Sequence, residues 1–145
     1  MTPDSALSAI IGRLEAAGLT KAVSPLGVSN SSAPQMDRSF SVRMLGLGPS
    51  ANPDRFKPTV AGLRVNNRFQ IDLGHRLNPS SGQTAVSQAL QDLHSSLKYL
   101  DVSGTSLTQA GSITIGGSSA EYASGGAYLI QRFTIDVVYN LSMVV

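Results

Sequence analysis

Residues 127–141 read AYLIQRFTIDVVYNL, and this stretch decides the fold. The residues of one parity, the odd-numbered positions, include the apolar Leu129, Phe133, Ile135, Val137, Tyr139 and Leu141. The even-numbered positions are mostly polar, although Tyr128, Ile130 and Val138 are among them. A period of two with β-branched and aromatic residues predicts a long strand with one buried face. At ~3.3 Å per residue the run would span about 50 Å, longer than a domain of this size, so we expect it to bend, carry a bulge or reach toward a partner.

The composition predicts one weakly charged domain. A length of 145 residues predicts a single domain over residues 1–145. The chain is 41% hydrophobic but only 14% charged, which suits burial against other copies of itself. A net charge of +2 is too small to indicate a nucleic-acid partner. The chain has no cysteine for a disulfide or thiolate metal site, and no apolar run of membrane-spanning length, so we expect no membrane partner.

Two stretches have helical periodicity. Thr2 and Pro3 form a helix start, Gly18 is a natural stop, and we predict a helix over residues 3–17. A second helix is predicted over residues 82–99, with Ser80 and Gln83 as a capping box. Its apolar seam would comprise Val86, Leu90, Leu93, Leu97 and Leu100.

Three further stretches predict strands. Residues 38–45 alternate and are followed by a predicted loop over residues 46–58. Residues 61–73 form a long strand, and residues 111–116 a short one before a flexible tip at residues 118–126. The order α-β-β-α-β-β predicts an α+β fold with a single mostly antiparallel four-stranded sheet and two helices on one face.

The second face of that sheet has the composition of an interface. It carries Arg64, Asn66 and Arg68 on one long strand and Tyr128, Ile130, Arg132, Asp136 and Val138 on the other. Interface cores favour this mixture of tyrosine, arginine and apolar side chains. The alternative is a solvated sheet face on which long side chains cover apolar surface.

No reaction is indicated by the sequence. His75 lies near Asp72 in the sequence, an arrangement found for general bases, but no nucleophile or second histidine is close, so we interpret it as a loop histidine. His94 falls on the polar side of its helix and is expected to be solvated. The chain has no phosphate-binding loop and its carboxylates are scattered singly. We therefore expect no catalytic residue, no cofactor and no metal, and no enzyme activity.

Four segments in this order carry a family resemblance. They are the helix end LEAAGL at residues 14–19, the basic hairpin with its long loop at residues 38–73, the helix segment ALQDLH at residues 89–94, and the terminal strand RFTIDVVY at residues 132–139. Over nearly the whole chain, this order resembles the tail terminator proteins of tailed bacteriophages, which lie in the neck between the tail tube and the head connector.

The resemblance implies a structural virion protein without enzymatic activity. Six copies would form a ring that caps the tail tube, stops its polymerisation and joins it to the head connector. The partners would be the chain itself, the tail tube protein and the head–tail connector protein, and DNA would only pass through the lumen. The protein would be assembled in the host bacterial cytoplasm and reside in the virion. Closing such a ring needs a head-to-tail interface, and we place Arg64, Arg68, Tyr128, Ile130, Arg132 and Asp136 at or near it.

Three alternatives stay open. The chain could be another neck, connector or tail-completion protein with the same order of elements. It could be a small cytoplasmic enzyme or ligand-binding domain, which a pocket with clustered titrating groups would indicate. It could also be a nucleic-acid-binding module that uses the basic hairpin, which a steep salt dependence of DNA binding would indicate.

Overall fold

The computed structural model describes residues 2–22, 37–49, 63–77, 82–101, 112–123 and 128–141. In chain order, these residues form α1 (Pro3–Ala16), β1 (Thr20–Lys21), β2 (Ser39–Pro49), β3 (Leu63–Arg76), α2 (Gly82–Asp101), β4 (Ser112–Ala123) and β5 (Tyr128–Leu141). The predicted capping box at Ser80 and the part of the predicted loop after Pro49 lie outside the described residues.

The described strands form one mixed sheet in the order β1-β2-β3-β5-β4. β1 pairs with β2 in parallel, and the other three pairings are antiparallel. The predicted α+β class with a mostly antiparallel four-stranded sheet is therefore wrong, and the fold is mixed α/β with five described strands. The missed strand is Thr20–Lys21, and two residues are too few to show any periodicity.

The first helix begins as its sequence predicts. The backbone N–H of Ser5 donates to Oγ1 of Thr2 at 3.2 Å, and the backbone N–H of Thr2 donates to Oγ of Ser5 at 2.8 Å. This reciprocal cap satisfies two backbone donors that the helix start would otherwise leave unpaired. Gly18, at a φ of 96°, ends the helical path and leads into β1, which confirms the predicted helix to within one residue.

The long terminal strand lies inside the sheet. β5 pairs with β3 over its whole length, from Leu63 opposite Leu141 to Arg76 opposite Tyr128, without a register shift. Its other side pairs with β4. The bulges lie in the neighbouring strands instead, between Met44 and Gly46 of β2 and between Gly116 and Ser119 of β4. An interior strand has little free edge, so pairing with another copy would fall to other strands.

Two strands are longer than predicted. β2 continues through the predicted loop to Pro49, and β4 continues through the predicted tip to Ala123. Gly46 borders the bulge of β2, and Gly116 and Gly117 lie at the bulge of β4, where a strand tolerates the missing side chain. Glycine therefore marks a local irregularity in these strands and not their ends.

Both helices pack against one face of the sheet, where the hydrophobic core forms. α1 contributes Ala6, Ile10 and Leu14, and α2 contributes Leu100. The strands contribute Phe40, Val65, Phe69, Ile71, Leu73, Phe133, Ile135, Val137 and Tyr139. The predicted inward parities of β3 and β5 are thus confirmed.

The predicted apolar seam of α2 is wrong at one position. Leu90 is 57% exposed, whereas Ala89, Asp92, Ser96 and Leu100 are buried. The helix is thus rotated so that two polar residues face inward. Oγ of Ser96 donates to the carbonyl of Asp92 at 2.7 Å, which satisfies one of these buried groups within the helix.

Candidate subunit interface

A polar network crosses the face of the sheet opposite the helices. Nε of Arg132 on β5 donates to Oδ1 of Asp72 on β3 at 2.9 Å, and its Nη2 lies 3.5 Å from Oε1 of Glu121 on β4. Nε2 of Gln70 donates to Asp72 at 3.1 and 3.2 Å, and Nη2 of Arg43 on β2 donates to Oε1 of Gln70 at 3.0 Å. We call these five residues the cross-sheet network. It spans four strands, with a basic end on β2 and an acidic end on β4.

The centre of the network holds a buried carboxylate that is paired with a half-buried arginine. Asp72 is only 4% exposed, and Arg132 covers it. The hydrogen bond to Asp72 raises the pKa of Arg132 above its usual value, and the charges of Asp72 and Glu121 add to this rise, while burial opposes it. Arg132 is therefore a fixed cation that joins the middle of the sheet to the acidic end of the network.

A second ion pair lies on the same face. Nε and Nη2 of Arg68 donate to the two carboxylate oxygens of Asp136 at 2.7 and 3.1 Å. The residues are direct cross-strand partners. The hydrogen bond to Asp136 raises the pKa of Arg68. The fork geometry fixes the orientation of this exposed arginine on the sheet surface.

The remaining candidates from the sequence lie deeper. Tyr128 and Ile130 are 1% and 3% exposed in the single chain. The hydroxyl of Tyr128 lies 3.1 Å from Oγ of Ser39, its ring lies directly over Gly74, and burial raises its pKa. Arg64 is half-buried and lies opposite Asn140 in the register. The structure thus pairs Arg68 with Asp136 and Arg132 with Asp72. Tyr128 and Ile130 are buried in the single chain, so a second copy would contact them only if other side chains were displaced. Their role in subunit contacts stays a prediction.

Exposed side chains lie on both sides of the described sheet. β4 is exposed at Thr114, Gly116, Gly117, Ser119, Ala120, Glu121 and Tyr122, and among the described strands it pairs only with β5. On the other side of the sheet, β1 pairs with Ser39 and Phe40 of β2. Met44, Leu45 and Leu47 on that strand are each at least 40% exposed. Exposed strand edges with apolar side chains are sites for pairing with another chain.

A buried cluster that no sequence pattern indicated lies on the opposite face. His75 lies in β3 and not in a loop, is 1% exposed, and its Nε2 lies 2.8 Å from Oδ2 of Asp92. Nε and Nη2 of Arg38 each donate to Asp92 at 2.9 Å, and Gln88 donates to it at 2.9 Å. Asp72, the partner suggested by sequence proximity, has the opposite parity in β3 and faces away. Only the fold brings Arg38, His75 and Asp92 together.

This cluster has the features of a polar group that holds structural elements together and not those of a catalytic site. Burial alone would raise the pKa of Asp92, but hydrogen bonds from Arg38, His75 and Gln88 hold it below its usual value. The carboxylate therefore stays ionised and ties α2 to β3 and to the start of β2. Nδ1 of His75 is buried without a hydrogen-bond partner in the described part of the chain, so no described nucleophile lies in reach of it.

Other kinds of site have little support in the described ranges. A shallow cavity of about 360 Å³ is lined by His94, Leu97, Lys98 and Ile115, and His94 is exposed as predicted. Within residues 2–22, 37–49, 63–77, 82–101, 112–123 and 128–141, no three His, Asp or Glu side chains are grouped to hold a metal ion. No helix in the same ranges is long and apolar enough to cross a membrane. No protein-family model matches the chain, and no curated protein matches it.

Proposed function

We propose that this chain is a structural virion protein of a tailed bacteriophage, a tail terminator that forms a ring, caps the tail tube and joins it to the head connector. The ring would contain six copies, and its partners would be the tail tube protein and the connector protein. The observation that carries the proposal is a pair of exposed surfaces on opposite sides of one sheet, at Met44, Leu45 and Leu47 of β2 and at Ala120, Glu121 and Tyr122 of β4. Two different surfaces on opposite sides of a sheet allow the head-to-tail contacts that close into a ring. The order of segments described from the sequence supplies the phage assignment.

The composition supports assembly. Only 14% of the residues are charged, and three large apolar side chains near the β2 edge are exposed in the single chain. Burial of such side chains against another copy removes apolar area from water at roughly 25 cal/mol per Å². A ring-forming protein gains this free energy on assembly, whereas a permanent monomer gains nothing from it.

The nucleic-acid alternative is less well supported. Arg38 and Arg68 lie in the basic hairpin, and each donates to a carboxylate of the same chain. Paired arginines would have to exchange these carboxylates for phosphates. The charge that made the hairpin look basic is thus largely balanced at these positions.

The solution mass tests the proposal. Six chains of 15.1 kDa would give a particle of about 91 kDa by light scattering, with a ring visible in negative stain. A ring of twice that mass would favour the alternative of a connector protein. A chain that stays monomeric even when purified tail tubes are added would contradict the proposal.

A further inference from the structure

The two helices stand above opposite sides of the sheet. α1 contacts mainly β1 and β2, whereas α2 contacts β3 and β4. The helices also touch each other, so each has one flank toward the other helix and one flank toward the outside of the molecule. In a ring whose copies lie side by side across the sheet, the outer flank of α1 in one copy lies beside the outer flank of α2 in the next.

The outer flank of α1 is acidic. Arg13 identifies the inner flank, because its Nη1 donates to the backbone carbonyl of Tyr99 on α2 at 2.9 Å. Ile11 and Glu15 are each two residues from Arg13, which corresponds to about 200° around an α-helix. Both therefore project from the flank that faces away from α2. Glu15 is exposed and Ile11 is half-buried, so this flank presents a carboxylate next to an apolar side chain.

The outer flank of α2 is basic and contains a cavity. The cavity of about 360 Å³ is lined by His94, Leu97 and Lys98 of α2 and by Ile115 of β4. Because β4 is the described strand farthest from β1 and β2, the cavity lies on the flank that faces away from α1. Leu97 and Ile115 are half-buried, whereas His94 and Lys98 are exposed. The cavity thus offers apolar surface for a side chain, with a cation beside it.

The charges on the two outer flanks are complementary. Glu15 and Lys98 take part in none of the ion pairs that the described residues form, whereas Arg38, Arg68 and Arg132 each pair with a carboxylate of the same chain. A contact between an α1 flank and an α2 flank joins opposite charges. A contact between two flanks of the same kind would instead bring like charges together. The charge pattern therefore favours head-to-tail contacts over two-fold contacts.

The two outer flanks also stand at the same height. The hydrogen bond between Arg13 and Tyr99 places these residues level with each other. At a rise of ~1.5 Å per residue, Glu15 lies about 3 Å along its helix from Arg13, and Lys98 lies about 1.5 Å from Tyr99. Rotation about a ring axis that runs along the helices leaves these heights unchanged. Glu15 of one copy therefore comes level with Lys98 of the next without displacement along the axis, as closure of a ring requires.

We infer that the outer flank of α1 in one copy docks on the outer flank of α2 in the next and forms the subunit contact. Glu15 of the first copy pairs with Lys98 of the second, and Ile11 packs on the apolar lining of the cavity at Leu97 and Ile115. This inference rests on the proposed ring, and it names a second copy of the chain as the occupant of the cavity. Side chains of the helical layer make the contact, so it needs no free backbone group at either side of the sheet.

A cysteine pair tests the contact directly. The chain has no cysteine, so Glu15→Cys with Lys98→Cys introduces a single possible pair. Within one chain the two positions lie on opposite flanks of the helical layer, so only neighbouring copies bring them within disulfide range. We expect a series of covalent multimers of two to six chains on a non-reducing gel. The matched control, Glu15→Cys with Gln91→Cys, should give no such series, because Gln91 is exposed on α2 but lies about two turns from Lys98.

Charge reversal tests the contact independently of the disulfide. Glu15→Lys or Lys98→Glu alone should raise the protein concentration at which rings form by about tenfold, because every contact of the ring then joins like charges. The double swap should restore assembly at the wild-type concentration. Both side chains are exposed, so circular dichroism should show an unchanged fold in all three variants. Gln91→Glu, which adds an acidic charge elsewhere on α2, should leave assembly unchanged.

The outcomes separate this contact from the proposed function. Wild-type rings whose cysteine variant gives no covalent series, and whose assembly tolerates both single reversals, would overturn the contact while leaving the proposed function standing. Covalently linked rings that neither bind nor cap tail tubes would support the contact and contradict the proposed function. A chain that stays monomeric with tail tubes present and gives no covalent series would contradict both.

Discussion

Nε2 of His75 lies 2.8 Å from Oδ2 of Asp92, and both side chains are buried beneath α2. The same carboxylate accepts two hydrogen bonds from Arg38 and one from Gln88. One aspartate thereby joins a strand, a helix and the residue before β2. A carboxylate that accepts from four donors is ionised and has its acceptor positions occupied, so its removal affects every element that it joins.

Asp92→Asn should destabilise the fold by about 2–4 kcal/mol, because the amide carries no charge for Arg38 and cannot accept from all four donors. Urea unfolding curves measure the loss. Asp136→Asn is the matched control, since Asp136 also binds an arginine through both oxygens but lies at the sheet surface. The control should lose much less. Equal losses in the two variants would contradict a structural role for the buried cluster.

The same carboxylate should make stability depend on acid pH. Its pKa is lowered in the folded chain, against an unfolded value of about 3.9. The stabilisation is therefore fully present above pH 5 and is lost as the pH falls through 4 toward the lower folded pKa. We expect the difference in unfolding free energy between wild type and Asp92→Asn to shrink between pH 6 and pH 3. A difference that stays constant over this range would show that the charge of Asp92 contributes nothing.

Gly74→Ala should be the most costly glycine substitution among those in the described strands. A Cβ at this position would collide with the hydroxyl and ring of Tyr128, which lies on the glycine. The displaced ring would leave its contact with Ser39, and we expect a loss of about 1–3 kcal/mol. Tyr128→Phe in the same chain should recover part of the loss, because the closest atom is removed.

Gly48→Ala is the control for that substitution. It lies in β2 with no atom within 4 Å of the added Cβ. Its thermal midpoint should match that of the wild type, or exceed it slightly, because alanine restricts the unfolded chain more than glycine does. If Gly74→Ala were as well tolerated as Gly48→Ala, the close packing of Tyr128 on the strand would be wrong.

The sequence allows prediction of this fold where a local period repeats over many residues. β3 and β5 alternate over 14 residues each, and their buried parities were readable because one face enters the core. β1 has two residues and no period, so only the fold reveals it. The burial of Asp92 on α2 was not readable either, because its partner Arg38 lies 54 positions earlier in the chain.

The candidate interface depends still more on topology. The sequence places Arg132 and Asp136 on one face of a strand, and that parity is correct. It does not show that β5 lies between β3 and β4, so it does not show which strands form the edges. Arg43 and Glu121 are recognised as the two ends of the cross-sheet network only once β2 and β4 are known to lie on opposite sides of β3 and β5. An exposed polar residue has no distinguishing pattern in a single sequence.

The pair Asn67 and Tyr139 allows a test of a polar group inside the core. Asn67 is fully buried on the apolar face of β3, and its Nδ2 donates to the hydroxyl of Tyr139 at 2.9 Å. Tyr139→Phe leaves the amide without this acceptor, and Asn67→Leu leaves the hydroxyl without its donor. Each should cost about 1–3 kcal/mol, because an unpaired buried polar group keeps its full desolvation penalty. The double variant removes both polar groups with little change of volume, so its loss should be smaller than the sum of the single losses by about 1 kcal/mol. Urea unfolding of the four proteins of the cycle measures this coupling. Strictly additive losses would mean that the hydrogen bond contributes no stability, and that Asn67 interrupts the apolar face of β3 for some other reason.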